Sequence, residues 1–170
     1  HELCKFVDQP FFCPIHGRSV SEARAHFFGL RAINPDVMGV LLLDGDNRRL
    51  PDREVGAEGL LVLRWKRYEI ENYLLHPEAL LRFVEGPDPD LLSRARRENG
   101  EGYLEANFPP AALAQPLVDS DYLVATPASK SVLPGFLEKS QAALPKKDYH
   151  QIAAQLKPEE VHPEVIAKLD

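Results

Sequence analysis

The chain has 170 residues, of which 44% are hydrophobic and 27% charged, enough to bury one core and a small second lobe. No apolar run approaches the roughly 20 residues of a membrane-spanning helix, and the start does not resemble a signal peptide, so we expect a cytoplasmic protein that has no membrane partner. The net charge of -6 argues against a protein that holds nucleic acid through bulk positive charge alone.

The first elements that the sequence predicts are a strand, a helix and a second strand. The segment PFFCPIH, residues 10–16, is typical of a strand. Residues 19–34 predict a helix, because Ser19 and Glu22 have capping-box spacing and apolar residues follow at helical intervals. The apolar run at residues 37–43 predicts a strand covered on both faces. This order indicates a parallel βαβ unit.

The chain continues with a polar loop and a third apolar strand, LLVLR, at residues 60–64. Residues 68–86 then have helical character, and Pro77 is placed to open a helix in its first turn.

The rest of the sequence predicts helices only. Amphipathic pieces broken by proline and glycine favour a helical insertion over residues 87–145. Two further helical segments occupy residues 146–170. We therefore expect an α/β core over residues 1–86, the insertion, and C-terminal helices that return to the core.

The second apolar strand ends on two aspartates, Asp44 and Asp46, separated by one glycine. Neighbouring carboxylates repel each other, so such a pair stays hydrated, finds cationic partners or binds a metal. An EF-hand is excluded because Arg49 occupies its turn position and Val55 its twelfth position. No hydroxyl residue soon follows, which disfavours a phosphatase of the haloacid dehalogenase type. A D-x-D nucleotide-sugar transferase and an Asp-capped turn both stay open.

A second acidic pair, Glu69 and Glu71, follows the strand at residues 60–64. If that strand lies beside residues 39–43 in a parallel sheet, the loops after both strands bring the four carboxylates together. Such hard oxygen ligands select Mg²⁺ or Mn²⁺, and a pair of these cations is a known means of phosphodiester cleavage. Ordinary charge on an exposed face is the alternative for Glu69 and Glu71.

Three stretches together resemble one known family, namely VMGVLLLDGDNR, LVLRWKRYEIENYLLHP and KKDYHQIAAQLKPEEVHPEVIAKL. They are similar to the C-terminal Toprim region of OLD-family (overcoming lysogenization defect) nucleases and related ATPase-linked proteins. The resemblance covers most of the chain outside the insertion. It implies a Toprim-like parallel sheet flanked by helices, with Asp44 and Asp46 as the family's D-x-D. It also implies an acidic E-x-E-N-Y element, formed here by Glu69, Glu71, Asn72 and Tyr73.

This resemblance implies a metal-dependent DNA endonuclease that uses two divalent cations, Mg²⁺ or Mn²⁺. Asp44 is expected to bridge the cations, Asp46 and Glu71 to hold the second, and Glu69 to ligate or orient nearby. The family's basic residue near the C-terminus matches Lys147 as first choice and Lys130 as second. The residues that we expect to meet the DNA backbone are Arg48, Arg49, Arg64 and Arg67.

One family feature has no counterpart in this sequence. The family's first strand ends in a glutamate within an E-G-x-x-D-like motif, whereas Glu2 neither follows an apolar strand nor precedes a glycine. We therefore expect that strand, its glutamate and the ATPase domain to lie upstream of His1. The expected partners are DNA and that ATPase domain, with a homodimer left open. The alternatives are a non-catalytic regulatory or interaction domain of an ATPase, and the D-x-D transferase.

Overall fold

The computed structural model describes residues 20–46, 52–88 and 90–169. These residues form two compact units. The first unit comprises residues 20–43 and 52–65, and the second comprises residues 44–46, 66–88 and 90–169. The strand predicted at residues 10–16 and the capping residue Ser19 lie outside the described residues.

The first unit is a small α/β structure. Its elements are α1 (Val20–Ile33), β1 (Gly39–Leu43), α2 (Asp52–Val55) and β2 (Leu60–Arg64). The strands β1 and β2 pair in parallel, with Gly39 beside Leu60 and Leu43 beside Arg64. The structure thus confirms helix α1, both strands and their parallel pairing. Helix α2 interrupts the segment that the sequence predicted to be a polar loop.

One face of this sheet is buried and the other is exposed. A β-carbon at Gly39 would lie 2.9 Å from the Phe27 ring, so glycine lets α1 approach β1 closely. On the other face, Val40 is 65% exposed and Leu61 is 57% exposed. Among the described residues α1 packs on only one face of β1, so the predicted cover on both faces is not seen within them. The core consists of Phe27, Leu41, Leu43, Val55 and Leu60.

The second unit is helical. After a 3-10 helix (Ile70–Leu74), its α-helices are α3 (Pro77–Glu85), α4 (Leu91–Asn107), α5 (Pro110–Ala114), α6 (Asp121–Ala125), α7 (Leu133–Lys139), α8 (His150–Ala153) and α9 (Pro163–Leu169). A π-helical turn (Ala128–Val132) leads directly into α7, and 3-10 turns at Lys146–Asp148 and Pro158–Glu160 precede α8 and α9. The helical character predicted from residue 68 to the C-terminus is confirmed, and Pro77 opens α3.

Residues 66–86, predicted as the end of the α/β core, fold with the helices that follow them. Leu80 and Leu81 of α3 share one buried cluster with Leu104 of α4 and Phe136 of α7. Close packing here depends on Gly100, where a β-carbon would lie 3.1 Å from both the Phe136 ring and the Ser140 hydroxyl. The unit therefore holds the acidic segment at residues 66–75 against a rigid helical core.

Candidate active site

Both acidic segments lie in the second unit, where backbone contacts join them. The N–H of Asp46 donates to the carbonyl of Tyr68 over 3.0 Å. The Asp44 carboxylate accepts a hydrogen bond from the N–H of Ile70. Asp44 and Asp46 are therefore fixed beside the segment that carries Glu69 and Glu71.

The other carboxylates lie close enough to Asp44 to change its pKa. Burial raises the pKa of Asp44, and the charges of Glu71 and Asp46, with a smaller contribution from Glu69, raise it further. The hydrogen bond from Ile70 opposes this rise in pKa. The fold thus holds like charges together at a cost in stability, which is typical of functional sites.

Asn72 fixes the conformation of the second acidic segment. This side chain is completely buried, and its amide donates to the carbonyls of Leu123 and Thr126 over 2.8 and 2.7 Å. Its side-chain oxygen accepts from the N–H of Glu69 over 3.3 Å. A short polar side chain therefore ties the 3-10 helix to α6 and sets the direction in which Glu69 and Glu71 leave the backbone.

Glu69 points into the protein interior. Only 6% of the residue is exposed, and both carboxylate oxygens accept hydrogen bonds from Ser129. One bond comes from the Ser129 N–H and the other from its hydroxyl over 2.9 Å. Ser129 belongs to the π-helical turn, a form of helix that is frequent at functional sites.

Lys146 supplies positive charge to the acidic cluster. Its Nζ lies 3.2 Å from Oε1 of Glu71 and donates to the Ser129 hydroxyl over 2.9 Å. Burial lowers the pKa of Lys146, but the charge of Glu71, helped by Glu69 and Asp44, outweighs burial and holds that pKa above its ordinary value. Lys146 is therefore a permanent cation at neutral pH, bonded to one carboxylate of the four.

The described ranges contain no group of three or more His, Cys, Asp or Glu side chains arranged to hold a metal ion. Asp44 and Asp46 keep exposed surface although Asp44 is partly desolvated, Glu69 is bonded to Ser129, and Glu71 is paired with Lys146. The donor set nevertheless consists of hard oxygens, which suit Mg²⁺ or Mn²⁺ better than zinc or copper. The types of ligand atom therefore suit such a cation. To bind it, Glu71 would have to give up its ion pair with Lys146.

The lysines chosen from the sequence lie elsewhere. Lys130 and Lys147 are both exposed, and among the described residues neither side chain pairs with a carboxylate. Their neighbours Ser129 and Lys146 make the contacts with the acidic cluster instead.

Arg67, predicted to contact DNA, lies in the interior and is only 2% exposed. Its guanidinium donates to Asp119 over 3.0 Å, to the carbonyl of Asn72 over 3.1 Å and to the carbonyl of Pro116 over 2.8 Å. The same group lies 5.1 Å from the centre of the Tyr73 ring. Arg67 therefore has no donor facing outward, and the expectation that it meets a DNA backbone is corrected.

The other arginines expected at DNA have different positions. Arg64 is half-buried at the end of β2, in the first unit. Arg48 and Arg49 lie outside the described residues.

Polar residues of the C-terminal segment surround Arg67. Asp119 also binds Lys66 over 2.6 Å and lies 3.4 Å from Nε2 of His162. Glu164 accepts from the hydroxyl of Tyr73 and from the N–H of Lys66. The segment that carries Glu69 and Glu71 is thus held by residues up to 98 positions away in the chain.

Sequence reasoning missed Ser129 and Lys146. The sequence does show two adjacent lysines at positions 146 and 147. No local pattern indicates which of the two contacts the acidic cluster. Ser129 carries no pattern of its own, because its role depends on a contact with a residue 60 positions earlier.

We compared the chain with protein-family models, with curated proteins and with solved structures. It matches none of them. Within the described residues, the helices are all too short or too polar to cross a membrane.

Proposed function

We propose that this chain carries the metal site of a Toprim-type DNA endonuclease, as in the OLD-family proteins that its sequence resembles. The observation that supports this proposal is that Glu71 and Asp46 lie close enough to Asp44 to raise its pKa, while Lys146 pairs with Glu71. The proposal includes a cytoplasmic location and an ATPase domain as partner.

Three carboxylates have a direct role in this proposal. Asp44, Asp46 and Glu71 would hold the divalent cations, Mg²⁺ or Mn²⁺. Divalent cations in such sites lower the pKa of an attacking water and stabilise the leaving oxygen of the phosphodiester. Glu69, which the sequence analysis also considered as a ligand, has the orienting role, because both its oxygens are bonded to Ser129.

Lys146 is the cation that this proposal assigns to the phosphate. Its ammonium lies beside Glu71 and stays protonated at neutral pH, so it can offset negative charge that develops on the phosphorus oxygens in the transition state. The exposed side chains of Lys130 and Lys147 have no such fixed position, and in this proposal they contact the DNA backbone at most.

The test measures Mn²⁺ binding by calorimetry and nicking of supercoiled plasmid on the same samples. The wild type here is the full-length protein that contains this chain, and we expect it to bind Mn²⁺ and to nick the plasmid. We expect Asp44→Ala/Asp46→Ala in that protein to lose both. Lys146→Met is expected to retain Mn²⁺ binding and to lose about 100-fold or more in nicking rate, as for loss of a group that stabilises transition-state charge.

Two matched variants serve as controls for these changes. Asp121→Ala removes an exposed carboxylate and Lys139→Met an exposed lysine, and both should behave like the wild type. A wild type that neither binds Mn²⁺ nor nicks DNA would overturn the proposal and favour a regulatory or interaction domain. Mn²⁺-dependent binding of a nucleotide-diphosphate sugar would favour the transferase.

A further inference from the structure

A buried hydrogen-bond chain runs from Glu69 through Ser129 to Lys146. The Ser129 hydroxyl lies 2.9 Å from Oε2 of Glu69 and 2.9 Å from Nζ of Lys146. Ser129 is 5% exposed and Glu69 is 6% exposed, whereas the Lys146 side chain is 59% exposed. The chain therefore joins two interior groups to one lysine that would otherwise extend into water.

The chemistry of these groups fixes the direction of the chain. An ammonium group can only donate, so the oxygen of Ser129 must accept from Lys146. The single hydroxyl proton of Ser129 is then directed to Glu69, whose carboxylate can only accept. Each group has one role, and no alternative arrangement of protons satisfies all three.

The same arrangement excludes Ser129 as a nucleophile activated by Lys146. A lysine acting as general base must accept the hydroxyl proton, but here the proton of Ser129 is committed to Glu69. Ser129 is also too deeply buried to reach a substrate.

We propose that Ser129, oriented by Glu69, is a positioning residue that holds the ammonium of Lys146 beside Glu71. Lysine side chains have several rotatable bonds, so one ion pair with Glu71 leaves much freedom. A second, directional contact with Ser129 confines the ammonium to the edge of the acidic cluster. The role of this position in metal affinity rests on the proposed function, but the contact itself does not.

The test is a double-mutant cycle on stability in the absence of metal. Urea unfolding is measured for the wild type, Ser129→Ala, Lys146→Met and the double variant. Ser129→Ala also loses the Ser129–Glu69 hydrogen bond. That cost is the same whether residue 146 is Lys or Met, so it cancels in the cycle. We expect the two changes to be coupled by about fivefold in the folding equilibrium constant, as for one net hydrogen bond.

Ser131→Ala provides the matched control. Ser131 lies in the same π-helical turn, but it is exposed and its hydroxyl donates to the carbonyl of Pro127 over 2.7 Å. It should show no coupling to Lys146→Met. Additive effects of Ser129→Ala and Lys146→Met would overturn the positioning role, whether or not the protein binds Mn²⁺.

A second cycle measures Mn²⁺ affinity with the same four proteins. Release of the ammonium lowers the positive charge beside Glu71, so Ser129→Ala should tighten Mn²⁺ binding about threefold when Lys146 is present. It should have no effect in the Lys146→Met background. Coupling in stability, together with no Mn²⁺ binding by any variant, would retain the positioning role and reject the proposed metal function.

Discussion

The segment at residues 66–75 contains two charged sites, one at Arg67 and one at Glu71, and they differ in how their charges are paired. At Arg67, one buried cation meets one carboxylate, two carbonyls and an aromatic ring, so its charge and its donors are satisfied. At Glu71, four carboxylates lie near one another, and among the described residues Lys146 is the cation that pairs with one of them, Glu71. The first site pairs opposite charges, whereas the second holds like charges together, an arrangement that costs stability and is frequent at functional sites.

The largest expected effect is the loss of the Arg67 network. We expect Arg67→Met to lower the free energy of unfolding by about 3–5 kcal/mol, because it leaves two buried carbonyls without their donor and removes the buried cation of Asp119, which keeps only the exposed ammonium of Lys66 as an ion-pair partner of permanent charge. Urea unfolding followed by circular dichroism measures this loss. Lys66→Met is the control, since its ammonium binds the same carboxylate but its side chain is 64% exposed.

A loss for Arg67→Met no larger than that for Lys66→Met would contradict the role assigned to burial. Burial would then not distinguish the contribution of Arg67 from that of the exposed Lys66.

An intermediate effect is expected from pH at the same end of the segment. Burial lowers the pKa of His162, and the charge of Arg67 lowers it further, while Asp119 and Glu164 oppose this. Burial likewise lowers the pKa of His76. A histidine whose pKa is lowered in the folded state binds protons more readily after unfolding, where its pKa is about 6.5. Stability should therefore be complete above about pH 6.5 and fall as the pH drops towards 5.

Unfolding at pH 7, 6 and 5 tests this expectation. His162→Gln should remove part of the loss of stability between pH 7 and pH 5, and His76→Gln/His162→Gln should remove most of it. His150→Gln changes an exposed position and should leave the loss of stability unchanged. An unchanged slope in the double variant would contradict the prediction. Carboxylates with lowered pKa, such as Asp119 and Glu164, lose their contribution only in more acidic solution, below about pH 4.

The smallest effect, of opposite sign, is expected at the acidic end. Asp44→Asn removes a charge that Glu71 and Asp46 oppose, so without metal it should raise the thermal midpoint slightly. The gain should shrink as salt increases, because screening weakens the repulsion. Asp121→Asn, at the first turn of α6 where a carboxylate favours the helix, should not raise the midpoint. A lower midpoint for Asp44→Asn would mean that the cluster stabilises the fold.

Local pattern in the sequence was sufficient for the regular elements near the site. The periodicity at residues 20–33 predicts α1, the two apolar runs predict β1 and β2, and Pro77 marks the start of α3. These features depend on residues only a few positions apart, so a single sequence contains them. The same holds for the two acidic pairs, since their positions directly after apolar strands are visible without coordinates.

The burial of Arg67 could not be read in this way. Arg64 and Lys66 place it in a basic stretch that favours exposure, and the partners that bury it are Asp119 and Pro116, about 50 residues later. The choice of Lys146 over Lys147 has the same origin. Two adjacent lysines are chemically identical, and the 3-10 turn that carries them decides which one faces the cluster.

The sequence by itself thus determined which chemical groups are available: four carboxylates in two short segments, a lysine pair and the strands that precede the acids. Only the tertiary structure decided how those groups are used. It directed Glu69 inward to Ser129, brought Lys146 to Glu71, and removed Arg67 from the surface. The physical reason is that burial and pairing of charge are set by contacts between residues 50 to 75 positions apart, and no local periodicity encodes them.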